Sequence, residues 1–144
     1  MAEKKIRLHI ITPEQSKIDE DVDMVIMRCT TGDMGIMPGH ETRSAVLDYG
    51  VMRILNDDNE RWIAVYGGLA VIKDNVLTVL THDAEWPEEI DRAHAHATRE
   101  HAERRLQEKT DDLEIQSDQV LLRRALVQIE VSSYTFKDDD NDDE

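Results

Sequence analysis

Two periods divide the chain. Up to about residue 85 apolar side chains recur at every second position or in short continuous runs, and beyond it they recur every third or fourth. In Lys5–Thr12, Ile6, Leu8 and Ile10 take one side while Lys5, Arg7 and His9 take the other. Further β-branched, apolar runs follow at Val22–Cys29, Arg43–Leu47, Val51–Leu55, Arg61–Tyr66, Leu69–Ile72 and Val76–Leu80. Asn56–Glu60 and Lys73–Asn75 separate adjacent runs and read as hairpin turns. Many short strands at close spacing predict a β-sandwich or barrel. Val51–Leu55, Leu69–Ile72 and Val76–Leu80 are apolar on both alternating faces. A two-layer sandwich buries only the inner face of each sheet. The extra apolar face therefore calls for a cover, either another subunit or the chain's own second half.

Pro87 followed by Glu88, Glu89 and Asp91 predicts a helix start, with proline in the first turn and acids at the positive end of the dipole. Residues 87–109 then hold no glycine and no further proline. Glu88–Arg92 and Glu100–Arg104 have the i,i+4 spacing of helical ion pairs. Thr110-Asp111-Asp112 reads as a turn and N-cap before a second helix over about 112–133. Each helix has two apolar stripes. On the first, Trp86, Ile90, Ala93 and Ala97 form one, and Ala95, Ala102 and Leu106 lie nearly opposite. On the second, Leu121, Leu122, Ala125, Leu126 and Ile129 form one, and Val120, Val127 and Val131 another. One stripe serves the partner helix. The other serves packing on the β-domain or a second, alternative packing, and the pattern alone favours the former. The expected organisation is a β-domain over residues 1–85, a helical hairpin over 86–136 and a disordered acidic tail over 137–144.

Composition narrows what such a chain can do. The net charge is −15, and six of the acids lie in Asp138–Glu144, so the rest still carries −9. That surface repels phosphate backbones and disfavours general nucleic-acid binding. The single cysteine, Cys29, excludes an intrachain disulfide and argues against a cysteine metal cage. No run approaches the 18 or so apolar residues that span a bilayer, and residues 1–20 do not resemble a signal peptide. The expectation is a cytoplasmic chain without direct membrane insertion.

The stretch Gly32-Asp33-Met34-Gly35-Ile36-Met37-Pro38-Gly39-His40 carries three glycines and a proline. It reads as a turn-rich loop pinned by Ile36, with Asp33 and His40 available at a contact surface. It lacks the GxxxxGK[ST] and GxGxxG phosphate patterns. His94, His96 and His101 share a helix without i,i+4 spacing, which argues against a metal site. His82-Asp83 and His40 lack any activated nucleophile, so no catalytic residue is expected. Arg92, Arg99, Arg104, Arg105, Arg123 and Arg124 concentrate on the helices of an acidic protein. They read as a solvated face with intrahelical pairs, or as a strip for an acidic partner or phosphates.

The order "GDMGIMPGH", "LDYGVMRI", "AVYGGLAVIKDNVLTVLTHDAEWPEEID" and "LLRRALVQIEV" resembles the epsilon subunits of bacterial F-type ATP synthases, over about residues 5–133. The resemblance implies a ten-stranded β-sandwich followed by a two-helix antiparallel hairpin. It implies a noncatalytic rotor subunit whose sandwich holds the gamma subunit and sits on the c-ring at the cytoplasmic face of the membrane. It places Thr31, Asp33, Met34 and His40 in the loop facing the c-ring. It also implies a hairpin with two positions, folded or extended into the catalytic head, which makes alternative packing the better account of the double stripes. In the extended position Arg123 and Arg124 would meet the catalytic alpha and beta subunits. Family members that bind ATP carry [IL]DxxRA with further arginines on the last helix. Here Ile90-Asp91-Arg92-Ala93-His94-Ala95 puts His94 at the arginine position. Arg124 matches one basic position, and Gln128 stands at another. A nucleotide site built on Asp91, His94 and Arg124 lacks two guanidinium charges, so no cofactor is expected. The competing reading is a free-standing sandwich that binds a small ligand under a helical lid; a metal-dependent hydrolase is a third.

Overall fold

The computed structural model describes residues 5–108 and 111–142, with side chains described through Tyr134. It divides into two compact units, 1–85 and 86–144.

The first unit is built from β1 (Ile6–Ile11), β2 (Ser16–Val22), β3 (Met24–Cys29), β4 (Gly32–Ile36), β5 (Arg43–Asn56), β6 (Asn59–Lys73), β7 (Val76–Leu80) and β8 (Ala84–Glu85). Their order is β2-β1-β7-β6-β5-β3-β4, with β8 on β6. All pairings are antiparallel except β1 with β7. The sheet folds over into a sandwich because β5 and β6 are long enough to serve both layers. Arg43–Leu47 of β5 and Leu69–Lys73 of β6 pair alongside β7, β1 and β2. Met52–Asn56 and Asn59–Ile63 pair alongside β3 and β4. Among the described residues eight strands are present instead of the expected ten; counting β5 and β6 once in each layer accounts for the difference.

The crossing is made at Gly67 and Gly68, with φ of +76° and +130°. A Cβ on Gly68 would lie 2.1 Å from the Leu80 carbonyl oxygen. Only glycine fits both the conformation and the contact. Between the layers lie Ile6, Leu8, Ile10, Val25, Met27, Ile36, Ile54, Ile63, Ile72, Leu77 and Val79, each fully buried. The alternation in β1 is the one read from sequence.

Both expected turns are present. Asp57-Asp58 and Asp74-Asn75 have both central residues at positive φ, between +51° and +69°. This is the two-residue hairpin turn whose twist matches the flanking strands. Three strands were not expected, the shortest being β8, the two residues Ala84–Glu85 on β6. β2 carries only Ile18 and Val22 as apolar residues among Asp19, Glu20 and Asp21, because it is an edge strand facing water. β4 occupies the glycine-rich stretch that reads as a loop: Gly32–Ile36 pairs residue by residue with Val25–Cys29.

The second unit is a helical hairpin, α1 (Arg92–Glu108) packed on α2 (Asp112–Asp142). α1 starts five residues later than the proline suggests. Pro87–Glu89 is a separate 3₁₀ turn, and Asp91 caps α1 by accepting from the His94 amide at 3.0 Å. Glu88 consequently lies outside the helix that holds Arg92, and Arg99–Glu103 is an i,i+4 pair within α1. Asp111 caps α2 in the same way, accepting from the Leu113 amide at 3.0 Å. α2 runs to Asp142, beyond the boundary expected at residue 136. The last two residues of the expected tail, and Thr110 of the expected turn, lie outside the described residues.

Candidate functional site

The outer face of the first layer carries the doubly apolar strands. Ile11 pairs with Leu80, Leu80 with Leu69, and Leu69 with Val46, so one row crosses β1, β7, β6 and β5. Val46, Leu69 and Leu80 are exposed by 40–56%. Ile11 is half-buried, as is Val71 in the next row. An open groove of about 430 Å³, lined by Ile11, Thr12, Pro13, Leu80, Thr81 and His82, continues the row past the strand ends. Contiguous exposed apolar side chains on a sheet face make this row the candidate contact surface of the domain. Of the three doubly apolar strands, Val51–Leu55 does not contribute, since Val51 and Met52 are both buried where β5 crosses between layers.

The residues expected in one contact loop are divided by β4. Thr31 and Asp33 lie at the exposed β3–β4 hairpin, where Asp33 Oδ1 stands 3.9 Å from Arg28 Nε. Met34 is half-buried opposite Met27. His40 lies past the far end of β4, which spans about 13 Å. Its ring Nδ1 is 2.8 Å from the Glu41 carbonyl, and its amide donates to the Met37 carbonyl at 3.2 Å, closing a turn over Pro38 and Gly39. Gly39, at φ +82°, is the left-handed position of that turn.

Asn75 ties this second loop down, and nothing in the sequence pattern singled it out. Its Oδ1 accepts from the Gly39 amide at 3.0 Å, and its Nδ2 donates to the Lys5 carbonyl at 2.6 Å. One hairpin side chain thus joins three segments. Beside it, Lys5 Nζ contacts Asn56, Asp57 and Asp23 at 2.6–2.8 Å. Hydrogen bonding to Lys5 holds the Asp23 carboxyl below its ordinary range, and the same contact raises Lys5. Burial pushes the Cys29 thiol up, so it stays a thiol packed under the sheet. Among the described residues no group of His, Cys, Asp and Glu could hold a metal ion.

On the hairpin, α1 buries Ala95 and Ala102, one of its two stripes, whereas Ala93 and Ala97 of the other are exposed. α2 buries Ala125, Val127, Val131 and Ser132, and leaves Leu113, Val120, Leu121 and Leu126 exposed by 40–77%. Each helix therefore has apolar surface left over. Arg123 and His94 are exposed; Arg124 and Gln128 are half-buried and engaged within the chain. The Asp91 carboxylate is used as the α1 cap. Asp118 was not singled out by sequence. It is 1% exposed on α2, and its Oδ2 stands 3.5 Å from Arg105 Nε of α1. The available signal was an acid set at i, i+4, i+7 and i+11 with Leu122, Ala125 and Ile129.

Comparison with known families accounts for both units. Residues 5–87 match the ATP synthase delta/epsilon chain beta-sandwich domain, and residues 88–133 match the long alpha-helix domain of the same chain. The chain belongs to the ATP synthase epsilon family. An ATP synthase epsilon chain from Bacillus licheniformis is 34% identical over 129 residues, covering 90% of this chain and 98% of the relative. One from Syntrophobacter fumaroxidans is 38% identical over 135 residues, covering 94% of this chain and all of the relative. The fold also matches a chain of the Euglena gracilis mitochondrial ATP synthase, with a TM-score of 0.80 at 23% identity, over 90% of this chain and 82% of that one. As a member of the epsilon family the chain is a noncatalytic subunit of a rotary ATP synthase. No described helix is long and apolar enough to cross a membrane.

Proposed function

We propose that the sandwich docks the gamma subunit through the row Ile11–Leu80–Leu69–Val46 and rests on the c-ring at the cytoplasmic side of the membrane, so that it turns with the rotor. The observation that carries this reading is the exposed apolar row on a sheet face that the domain's own second layer does not cover. Thr31 and Asp33, with Met34 beside them, and His40 then make two separate polar contacts to the ring, one at each end of β4. The hairpin opposes ATP hydrolysis by extending into the catalytic head. Its unused apolar surface supports two packings, and Arg123 is the better placed of the two arginines to meet acidic residues of the alpha and beta subunits, being exposed. ATP binding to the isolated chain is expected to be weak, because His94 stands where a guanidinium would face the phosphates and Asp91 is committed as a helix cap.

Truncation after Trp86 tests the division of labour. β8 must be kept, since Tyr66 Oη donates to Glu85 at 2.6 Å and the Tyr66 amide donates to the Asp83 carbonyl. In a reconstituted synthase head with gamma, the truncated chain should bind as the full chain does and fail to inhibit hydrolysis. Inhibition equal to that of the full chain would refute the hairpin's role, and loss of gamma binding would refute the docking row.

A further inference from the structure

We infer that Asp118 and Arg105 form a latch that fixes the closed register of the hairpin while keeping it easy to open. The Asp118 carboxylate is almost completely removed from water. Its Oδ2 has no hydrogen-bond donor among the described residues, and Arg105 Nε is 3.5 Å away, too far and too poorly aligned to donate. The two residues belong to different helices, eight positions short of the α2 residue Leu126 in one case and three short of the end of α1 in the other. The ion pair therefore exists only while the helices lie side by side.

The energetics of such a pair are asymmetric. A buried carboxylate without full hydrogen bonding lowers the stability of the state that buries it, and opening the hairpin returns it to water. Removing only the cation leaves that charge buried and uncompensated, which drives opening. Removing both charges eliminates the penalty and favours closure. Among the described residues the other buried positions of the two helices are the small side chains Ala95, Ala102, Ala125, Val127, Val131 and Ser132, so few large contacts compete with the charge. Asp118 is thus a residue whose charge tunes the balance between two hairpin positions. The effect on hydrolysis rests on the regulatory reading above, whereas the effect on hairpin geometry does not.

The test uses the full chain with Cys29→Ser and spin labels at His96→Cys and Glu130→Cys, both exposed sites on opposite helices. Pulsed dipolar spectroscopy should give one short distance for the parent. R105Q should add a long-distance population, raising the open fraction about tenfold or more, and R105Q/D118N should restore the short distance. Identical distributions for all three, or a double variant as open as R105Q, would overturn the latch. If R105Q loses helical circular dichroism, D118N alone decides through amide exchange: slower exchange along α2 supports the latch, and unchanged or faster exchange overturns it. Inhibition of hydrolysis by the same variants in an assembled head separates the two ideas. Distances that respond while inhibition does not would sink the regulatory reading and leave the latch standing.

Discussion

The sandwich and the hairpin are held together by different means. Among the described side chains, all of the largest fully buried ones, from Ile6 to Leu77, belong to the sandwich, whereas the two helices of the hairpin bury alanines, valines, a serine and one carboxylate. Burying an Ile or Leu contributes about 1.5–3 kcal/mol, and alanine far less. The sandwich adds geometric constraints that permit one arrangement only: two left-handed hairpin turns, a glycine pressed on a carbonyl, and Asn75 joining three segments. The hairpin has two caps, few large contacts and surplus apolar surface. A region of low burial is the region that can move. The contrast assigns permanence to one unit and adjustability to the other.

The largest expected effect comes from Gly68→Ala. It would force a Cβ to within 2.1 Å of a carbonyl oxygen at a left-handed position, and should cost about 3 kcal/mol or more in chemical denaturation. A stability near that of the parent would show that the layer crossing is softer than the geometry requires. Next, Leu69→Glu should weaken association with gamma about tenfold or more while leaving the midpoint of thermal unfolding nearly unchanged, because the side chain is exposed. A lowered midpoint with intact association would reverse the roles given to inner and outer faces.

Ala102→Leu should cost the hairpin about 1–3 kcal/mol by overpacking, read from amide exchange along α1 and α2, without changing exchange in β1 or β6. Equal loss in both units would remove the contrast. The smallest effect concerns pH. The folded-state pKa of Asp23 is lowered, chiefly by its hydrogen bond from Lys5. Its contribution is therefore complete above the ordinary carboxylate range and lost as pH falls through the depressed folded value. Asp23→Asn should flatten the acid limb of sandwich stability in urea titrations at several pH values and leave stability at neutral pH slightly reduced. An acid limb as steep as the parent's would remove Asp23 from the account.

Much of this was legible in the amino-acid order, and the omissions have physical causes. Alternation in Ile6–Ile10 and the pairs Asp57-Asp58 and Asp74-Asn75 announced strands and turns because each depends on local rules. β2 escaped because its alternation is broken by charge: Asp19 and Asp21 face water, where Arg7 pairs with both, and Glu20, between Ile18 and Val22 on the other side, is half-buried and pairs with Arg61. β4 escaped because Gly32 and Gly35 carry no side chain to alternate. The division of Thr31 and Asp33 from His40 follows directly from that missed strand. Asn75 and Asp118 act on segments distant in sequence, through contacts that no periodicity encodes.

The long hairpin of β5 and β6 has a mechanical consequence. Layers of a sandwich joined only by side-chain packing can slide or peel under a lateral load. Here the hairpin from Arg43–Ile72 to Asn56–Asn59 runs through both layers, unpaired only at Asp48 and Gly67, so force entering at the Leu69 end reaches the β3 side along covalent backbone and the paired amides on either side of that step. A push on the outer face is then borne in shear by many hydrogen bonds at once instead of one at a time. The two layers are thus joined by backbone as well as by packing.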